Sequence, residues 1–438
     1  AYYYYVQHMS ENTPEIQSLK GILAEDDFYS SRISYLESVK KSDAFQISEK
    51  DIMKRLYSKR LNISATGFEE YNLCPFKFFC RTGLNIKPLQ RREINAAEQG
   101  SIIHRCLEKL LSSCRTKAEF ESLDKNKIEI MISSCADEYL SENLGGEKGK
   151  TSRFKGNYKR LVSSITEIVL HLQQELSQSE FFPVSMEFDI TEANGGLPVL
   201  TTDSGIEIII RGIIDRVDMY EKDGQKYIRI VDYKTGNKEF SLGDLLYGIN
   251  MQMIIYLYSA LDKNGKFRDA LPAGVLYMPA GAMPCSLDRN SEESIETALN
   301  KRYKMKGIVL NNNDVLSAMD KGIRGIYIPA KALKDMSLDK RSSVLDLKQF
   351  ALLKKYTQKV LEEMADSLYS GNIAPFPLQP SSTNICKYCD YWSVCGNDGS
   401  IYRTKLSDKE AEKLLLSEIT EELSLIHISE PTRLDVIS

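Results

Sequence analysis

The chain has 438 residues, 42% of them hydrophobic, and a formal net charge of −4. That length allows a sizeable core and two or three domains, while the charge excludes a protein basic throughout, so any surface for nucleic acid must be local. Nine cysteines, an odd number, argue against a disulfide scaffold. The Tyr2–Tyr5 run lacks the flanks of a signal sequence and no apolar run reaches bilayer length, so a cytoplasmic protein is expected.

Residues 1–60 read as helical, and the start at Ala1 inside structured-looking sequence predicts a portion upstream. Thr66-x-x-Glu69 predicts a capping box that opens a helix through Tyr71. Pro75 disfavours a helical residue before it and so ends or kinks that helix, presenting Cys74. From Ile94 to Leu111 apolar residues recur at helical spacing, with His104 at the edge of the stripe. A lone histidine there is more often structural than a ligand. Helix continues through about Leu176, crossing a basic run from Lys148 to Arg160 that interleaves Phe154 and Tyr158. Within it Gly149-Lys150-Thr151 ends like a phosphate-binding P-loop. Residue 144 is Leu144 where that motif needs glycine, and helix rather than a buried strand precedes it, so no ATP site is expected.

The period then changes to two. Val184, Met186, Phe188 and Ile190 fall on one strand face and Glu187 and Asp189 on the other. Ile206–Tyr220 and Lys226–Tyr233 follow as β-rich segments, joined by a turn with the hairpin pair Asp223-Gly224. A helical stretch from Asp244 to Tyr256 puts Gln252 and Tyr256 four apart on one face, where an amphipathic core helix with a buried tyrosine is the plain alternative. Lys301–Lys306 is a second basic run, and either run taken alone reads as a solvated face. Helix resumes over Ser407–Leu423, and residues 424–438 read as a non-native tail. A mixed α/β core with helices before and after the sheet is expected.

Phosphodiester hydrolysis explains why these residue types would meet. Water must be deprotonated near neutral pH and charge stabilised beside an anionic backbone, and a divalent cation serves both needs. Mg²⁺ prefers oxygen ligands, and Asp215 and Asp232 offer carboxylates. Period-two geometry puts Asp232 and Lys234 on one face, while the Tyr233 carbonyl can also point at a metal. A lone D-x-K tripeptide is a weak signal; its strength comes from the hairpin that joins it to Gly212-x-x-Asp215.

Cys386, Cys389 and Cys395 form C-x2-C-x5-C, and Cys74 lies more than three hundred residues upstream. Thiolates in that spacing without a nearby histidine suit an iron–sulfur cluster, with zinc as the alternative, and such a centre would staple distant segments together. Cys80, six residues after Cys74, is an alternative fourth ligand. Cys106, Cys114, Cys135 and Cys285 read as buried apolar side chains.

In chain order, Gln99-Gly100-x-x-x-His104, Glu187, Gly212-Ile213-Ile214-Asp215, Asp232-Tyr233-Lys234 and Gln252-x-x-x-Tyr256 resemble the motif set of the RecB-family nucleases of the PD-(D/E)XK superfamily. Cys74-Pro75-Phe76-Lys77-Phe78-Phe79, Lys304-Met305-Lys306-Gly307 and the cysteine triplet bring the chain closest to the nuclease half of the AddB family, which pairs with AddA in bacterial AddAB helicase–nucleases. The resemblance implies a restriction-endonuclease-like mixed sheet flanked by helices and a [4Fe–4S] cluster on Cys74, Cys386, Cys389 and Cys395. It further implies Mg²⁺ on His104, Asp215, Asp232 and the Tyr233 carbonyl. Lys234 would complete the catalytic set, with Glu187, Gln252 and Tyr256 beside it. It implies that residues 1–60 are the remnant of a helicase-like region, 61–402 the nuclease domain and 403–423 a C-terminal helix. Expected partners are DNA ends and single strands and an AddA-type subunit, in double-strand-break repair. Two rivals stay open: a stand-alone iron–sulfur exonuclease of the CRISPR-adaptation type, and a non-catalytic DNA-end-binding module.

Overall fold

The computed structural model describes residues 1–417 except 10, 12, 41–44, 89–95, 147–149, 192–198, 237–239, 264, 282–293, 380–384 and 398–400. Lys148, Gly149, Cys285 and the tail 424–438 lie outside the described residues. Tyr5, Ile16, Leu23 and Ile33 make a small apolar cluster of their own among the first helices. The main core is built on a six-stranded sheet of β1 (Phe182–Asp189), β2 (Ile213–Lys222), β3 (Gln225–Lys234), β4 (Ala270–Pro279), β5 (Lys306–Leu310) and β6 (Val344–Leu345), adjacent in that order. β3 with β4 and β5 with β6 run parallel and the remaining neighbours antiparallel. The expected mixed sheet flanked by helices is what forms. No helix among the described residues is long and apolar enough to cross a membrane.

Local chemistry explains the sheet's active end. Asp223 and Gly224 both take positive φ, 51° and 79°, as the two central residues of a tight hairpin require, and they set the β2–β3 register with Asp218 opposite Arg229. The expected β segment from Ile206 splits at Gly212: Glu207–Arg211 instead pairs with Arg60–Ser64 and Val199–Thr201 in a second, three-stranded sheet. A Cβ on Gly212 would lie 2.4 Å from the Tyr256 ring, so only glycine lets the two come together.

Five helices position the site: α1 (Ala65–Leu73), α2 (Ala96–Ser113), α3 (Lys125–Leu144), α4 (Ser152–Gln178) and α5 (Gln252–Ala260). Three expectations need correction. Ser64, not Thr66, caps α1, its Oγ accepting from the Gly67 N–H at 3.0 Å. The Asp244–Tyr256 stretch is not one helix, because Gly248 and Asn250 adopt left-handed φ of 69° and 59° and α5 begins only at Gln252. Val184 is exposed rather than sharing the buried face of Phe188 and Ile190, because the β1–β2 register shifts between Pro183 and Ser185, where proline has no N–H to give the ladder.

Candidate active site and cysteine site

The parallel step from β3 to β4 passes through α5, which brings Gln252 to the carboxyl end of β3. Asp215 and Asp232 occupy the same face of the neighbouring strands, and α2 delivers His104 against them. His104 Nδ1 lies 3.3 Å from Asp215 Oδ1, and Nε2 lies 3.0 Å from the Tyr233 carbonyl. The Tyr233 N–H donates to Asp215 Oδ2 at 2.8 Å, so one residue's backbone fixes both the carboxylate and the imidazole. Glu187 joins them: its carboxylate, Asp215 and His104 offer ligand atoms all within 4.8 Å of one another. Glu187 holds φ at +44°, a strained value for a residue with a side chain, in the strand stretch that faces Asp215.

Asp232, expected beside the metal, faces Lys234 and Gln252. Lys234 Nζ is 2.6 Å from its Oδ2, and Gln252 Nε2 donates to its Oδ1 and to the Tyr256 hydroxyl, both at 3.4 Å. Lys234 also lies over the Tyr277 ring at 5.7 Å. One residue around the site carries no functional signal in the sequence. Glu69 accepts from the Gln252 N–H at 3.0 Å and so caps α5 from 183 residues away, in place of the local capping role its spacing suggests.

The charges are unbalanced. Burial, then the Asp215 charge, pushes Glu187 up to about 7, and burial followed by Asp215 pushes Asp232 up to about 6 in spite of Lys234. Burial lowers His104, but the hydrogen bond to Asp215 and the charges of Asp215 and Asp232 outweigh it and raise the imidazole above its ordinary value. Both ring nitrogens face oxygen atoms, Asp215 Oδ1 on one side and the Tyr233 carbonyl on the other. The ligand atoms of Glu187, Asp215 and His104, all within 4.8 Å of one another, are close enough to gather on one divalent ion, two carboxylates with His104 as a nitrogen ligand.

The cysteines assemble from both ends of the chain. Cys74 ends α1 with extended φ of −162°, and Pro75 opens the next helix, as the proline predicts. The Cys389 N–H donates to the Cys386 carbonyl at 3.1 Å, and Cys395 closes a short helix before the left-handed Gly396. Tyr391 donates to the Ile86 carbonyl at 2.6 Å, while Asn397 donates to Pro375 at 2.7 Å, which knits the segments together. Burial pushes Cys74 up to about 11, with Cys389 and Cys386 adding to it; burial also raises Cys386 and Cys80, each with Cys389 and Cys395 behind it. Five thiols thus feel one another, Cys80 among them. The raised thiols of Cys74, Cys80 and Cys386 fit a cationic metal core able to neutralise them.

Behind the face that carries Asp215 and Asp232 lies a charge cluster that periodicity alone does not single out. Arg216 Nε sits 2.9 Å from Asp218 Oδ1, Arg229 Nε 2.7 Å from Asp218 Oδ2, and Arg229 Nη2 2.6 Å from Glu175 Oε1 on α4. Arg216 Nη1 also donates to the Tyr233 hydroxyl at 3.3 Å. The P-loop-like segment, for its part, spends Thr151 as the cap of α4, its Oγ1 accepting from Phe154 N–H at 3.2 Å.

Comparison with known proteins agrees with this geometry. The profile of the PD-(D/E)XK nuclease superfamily matches residues 62–396. Similar proteins include the B subunit of the ATP-dependent helicase/deoxyribonuclease of Clostridium kluyveri, 31% identical over 391 residues that make 87% of this chain and 34% of that protein. Its namesake in Acetivibrio thermocellus is 34% identical over 352 residues, 78% of this chain and 30% of that one. The namesake in Clostridioides difficile is 29% identical over 429 residues, 92% and 36% respectively. The chain therefore spans about a third of the length of the curated relatives it matches. With the profile covering most of the chain, and with acids, histidine and lysine meeting where β2 and β3 present them, this chain belongs to the PD-(D/E)XK nuclease superfamily.

Proposed function

We propose that the chain is the DNA exonuclease portion of an AddAB-type helicase–nuclease, acting in the cytoplasm on broken ends with an AddA-type partner. The observation that carries this is the meeting of His104, Glu187 and Asp215 within 4.8 Å beside the Asp232–Lys234 pair. The names of the similar proteins, which are helicase/deoxyribonuclease subunits, support the assembly and the substrate. Their length favours this assignment over a stand-alone exonuclease, and the complete set of acid, lysine and histidine side chains argues against a non-catalytic module.

Asp215, Glu187, His104 and the Tyr233 carbonyl would hold Mg²⁺, with Asp232 alongside. When bound, the ion supplies an acidified water and positive charge against the scissile phosphate. Asp215 is aimed by the Tyr233 N–H, and His104 by the Tyr233 carbonyl. Lys234 is the cation of the set; Asp232 draws it towards the acids, where it stabilises charge building on phosphate or water. Gln252 holds Asp232 from the other side and is itself fixed by Glu69 and Tyr256. With Leu144 where a P-loop needs its first glycine and Thr151 spent as the cap of α4, cleavage by this part of the protein would need Mg²⁺ and not ATP. Cys74, Cys386, Cys389 and Cys395 would hold a [4Fe–4S] cluster as a structural staple, making residues 61–402 one nuclease domain.

The test is digestion of end-labelled DNA by the purified chain in Mg²⁺ against EDTA, beside Asp232→Ala. Cleavage that needs Mg²⁺ and is lost in the variant is expected. Equal cleavage by the variant refutes the assignment.

A further inference from the structure

The sheet register reaches well beyond the acids. Asp232 on β3 pairs with Tyr277 on β4, and Tyr277 with Lys306 on β5, so Lys306 stands two strand spacings, about 10 Å, from Asp232 at the same end of the sheet. β6 runs parallel to β5, with Val309 opposite Val344, so the loop feeding β6 arrives at that end too. Between the two entering segments lies a cavity of about 240 Å³, lined by Lys304, Pro329, Lys331, Asp339, Arg341 and Ser342.

Its walls are tied. The Met305 N–H donates to the Tyr327 carbonyl at 3.0 Å, Ser343 N–H to Pro329 at 2.8 Å, Lys331 N–H to Ser342 Oγ at 3.0 Å and Asp339 N–H to the Lys331 carbonyl at 2.8 Å. The charge is lopsided. Arg341 embraces Asp339 through Nε and Nη2, at 3.1 and 2.9 Å, which leaves the Lys304 and Lys331 ammonium groups as the excess. Burial holds Lys304 below its ordinary value; buried Asp320 opposes this, while Lys331 and Arg341 reinforce it. Asp320 is already engaged, its Oδ2 accepting the N–H groups of Ile326 and Tyr327. An anion in the cavity would relieve the crowding of cations.

We propose that this cavity is a phosphate subsite for the DNA strand whose scissile bond lies at Asp215 and Asp232, engaging the backbone beyond the nucleotides at the cut. The inference rests on the nuclease assignment and adds the place where the strand is gripped. Backbone phosphate in a polymer, rather than free phosphate or a mononucleotide, is the ligand, because the cavity is open and sits in line with the catalytic end of the sheet.

The experiment measures binding of a fluorescent single-stranded oligonucleotide to the full chain, in Ca²⁺, across a salt series. Lys304→Gln/Lys331→Gln is expected to raise Kd about tenfold and to flatten the slope of log Kd against log salt by about 0.7 for each phosphate no longer neutralised. Lys348→Gln, on an exposed helix start elsewhere, should change neither. If the double variant melts below the wild type, Lys331→Gln alone, exposed on its loop, carries the test. Unchanged affinity and slope overturn the subsite. So does displacement of the oligonucleotide from wild type, but not from the variant, by millimolar inorganic phosphate or a 5′-mononucleotide, which would mark a site for free phosphate. A wild-type chain that binds DNA yet cleaves none in Mg²⁺ fails the nuclease assignment and takes this proposal with it.

Discussion

β2 and β3 carry charge on both faces, and the two sets are handled in opposite ways. On one face Arg216 and Arg229 meet Asp218 and Glu175, two cations for two anions, with every side chain 2% exposed or less. On the other, three carboxyls, Glu187, Asp215 and Asp232, meet one lysine, Lys234, with His104 beside Asp215. Compensated charge in a dry interior rigidifies, and the Arg216 contact to the Tyr233 hydroxyl carries that rigidity to the residue whose backbone aims Asp215 and His104. Uncompensated charge leaves carboxyls that take up protons near neutrality and so prepares the site for a cation. One hairpin thus keeps a stiff back and a cation-seeking front, one residue out of phase.

The sharpest way to break that contrast is Asp215→Ala. It should lower cleavage about a thousandfold while the melting temperature stays level or rises, because a like charge has been removed. Lost stability alongside lost activity would mean that the front face is as structural as the back. Arg229→Ala is the reverse case. It leaves Glu175 and Asp218 to share Arg216 alone and should cost about 3–5 kcal/mol in urea unfolding. Arg229→Met with Asp218→Leu, which leaves Arg216 to Glu175, should recover most of that; no recovery would show that the cluster does more than neutralise itself.

Cys386→Ser extends the comparison to the third charged cluster. A cluster closing the loop back to Cys74 should contribute about 5 kcal/mol through loop closure, so the variant should lose iron and melt lower. Full iron content or unchanged melting would exclude Cys386 as a ligand.

The smallest effect is in pH. Glu187 at about 7 and Asp232 at about 6 lie above their unfolded values, and His104 is raised as well. Their stabilisation is complete below the unfolded carboxyl range and is lost as pH rises through about 6 to about 7. In EDTA the melting temperature should fall over that interval by a few degrees, and Mg²⁺ should restore more at pH 8 than at pH 6. A flat profile, or a slope that survives Glu187→Gln, would count against it.

Much of this is legible in the sequence because it is local. Asp223-Gly224 names its own turn, Pro75 its own break, and D-x-K spacing its own face. What escapes depends on distance or on a conformation that spacing does not encode. Spacing ties Glu69 to the nearest helix start although its partner is Gln252, and Ser64 is the better cap because Thr66 lies inside the helix. The late start of α5 needs the left-handed Gly248 and Asn250. By periodicity Arg216, Asp218 and Arg229 are strand charges with no partner in view; only the packing of α4 brings Glu175 over them.

The cap on α5 makes α1 and the helix of Gln252 answerable to each other. α1 runs from Ala65 to Leu73 and terminates at Cys74, while Glu69 in its middle holds the first N–H of the helix that steadies Asp232. Whatever frays α1 at its cysteine end also loosens Gln252. Under the proposed function, cleavage would then depend on the cysteine end of α1 being in place.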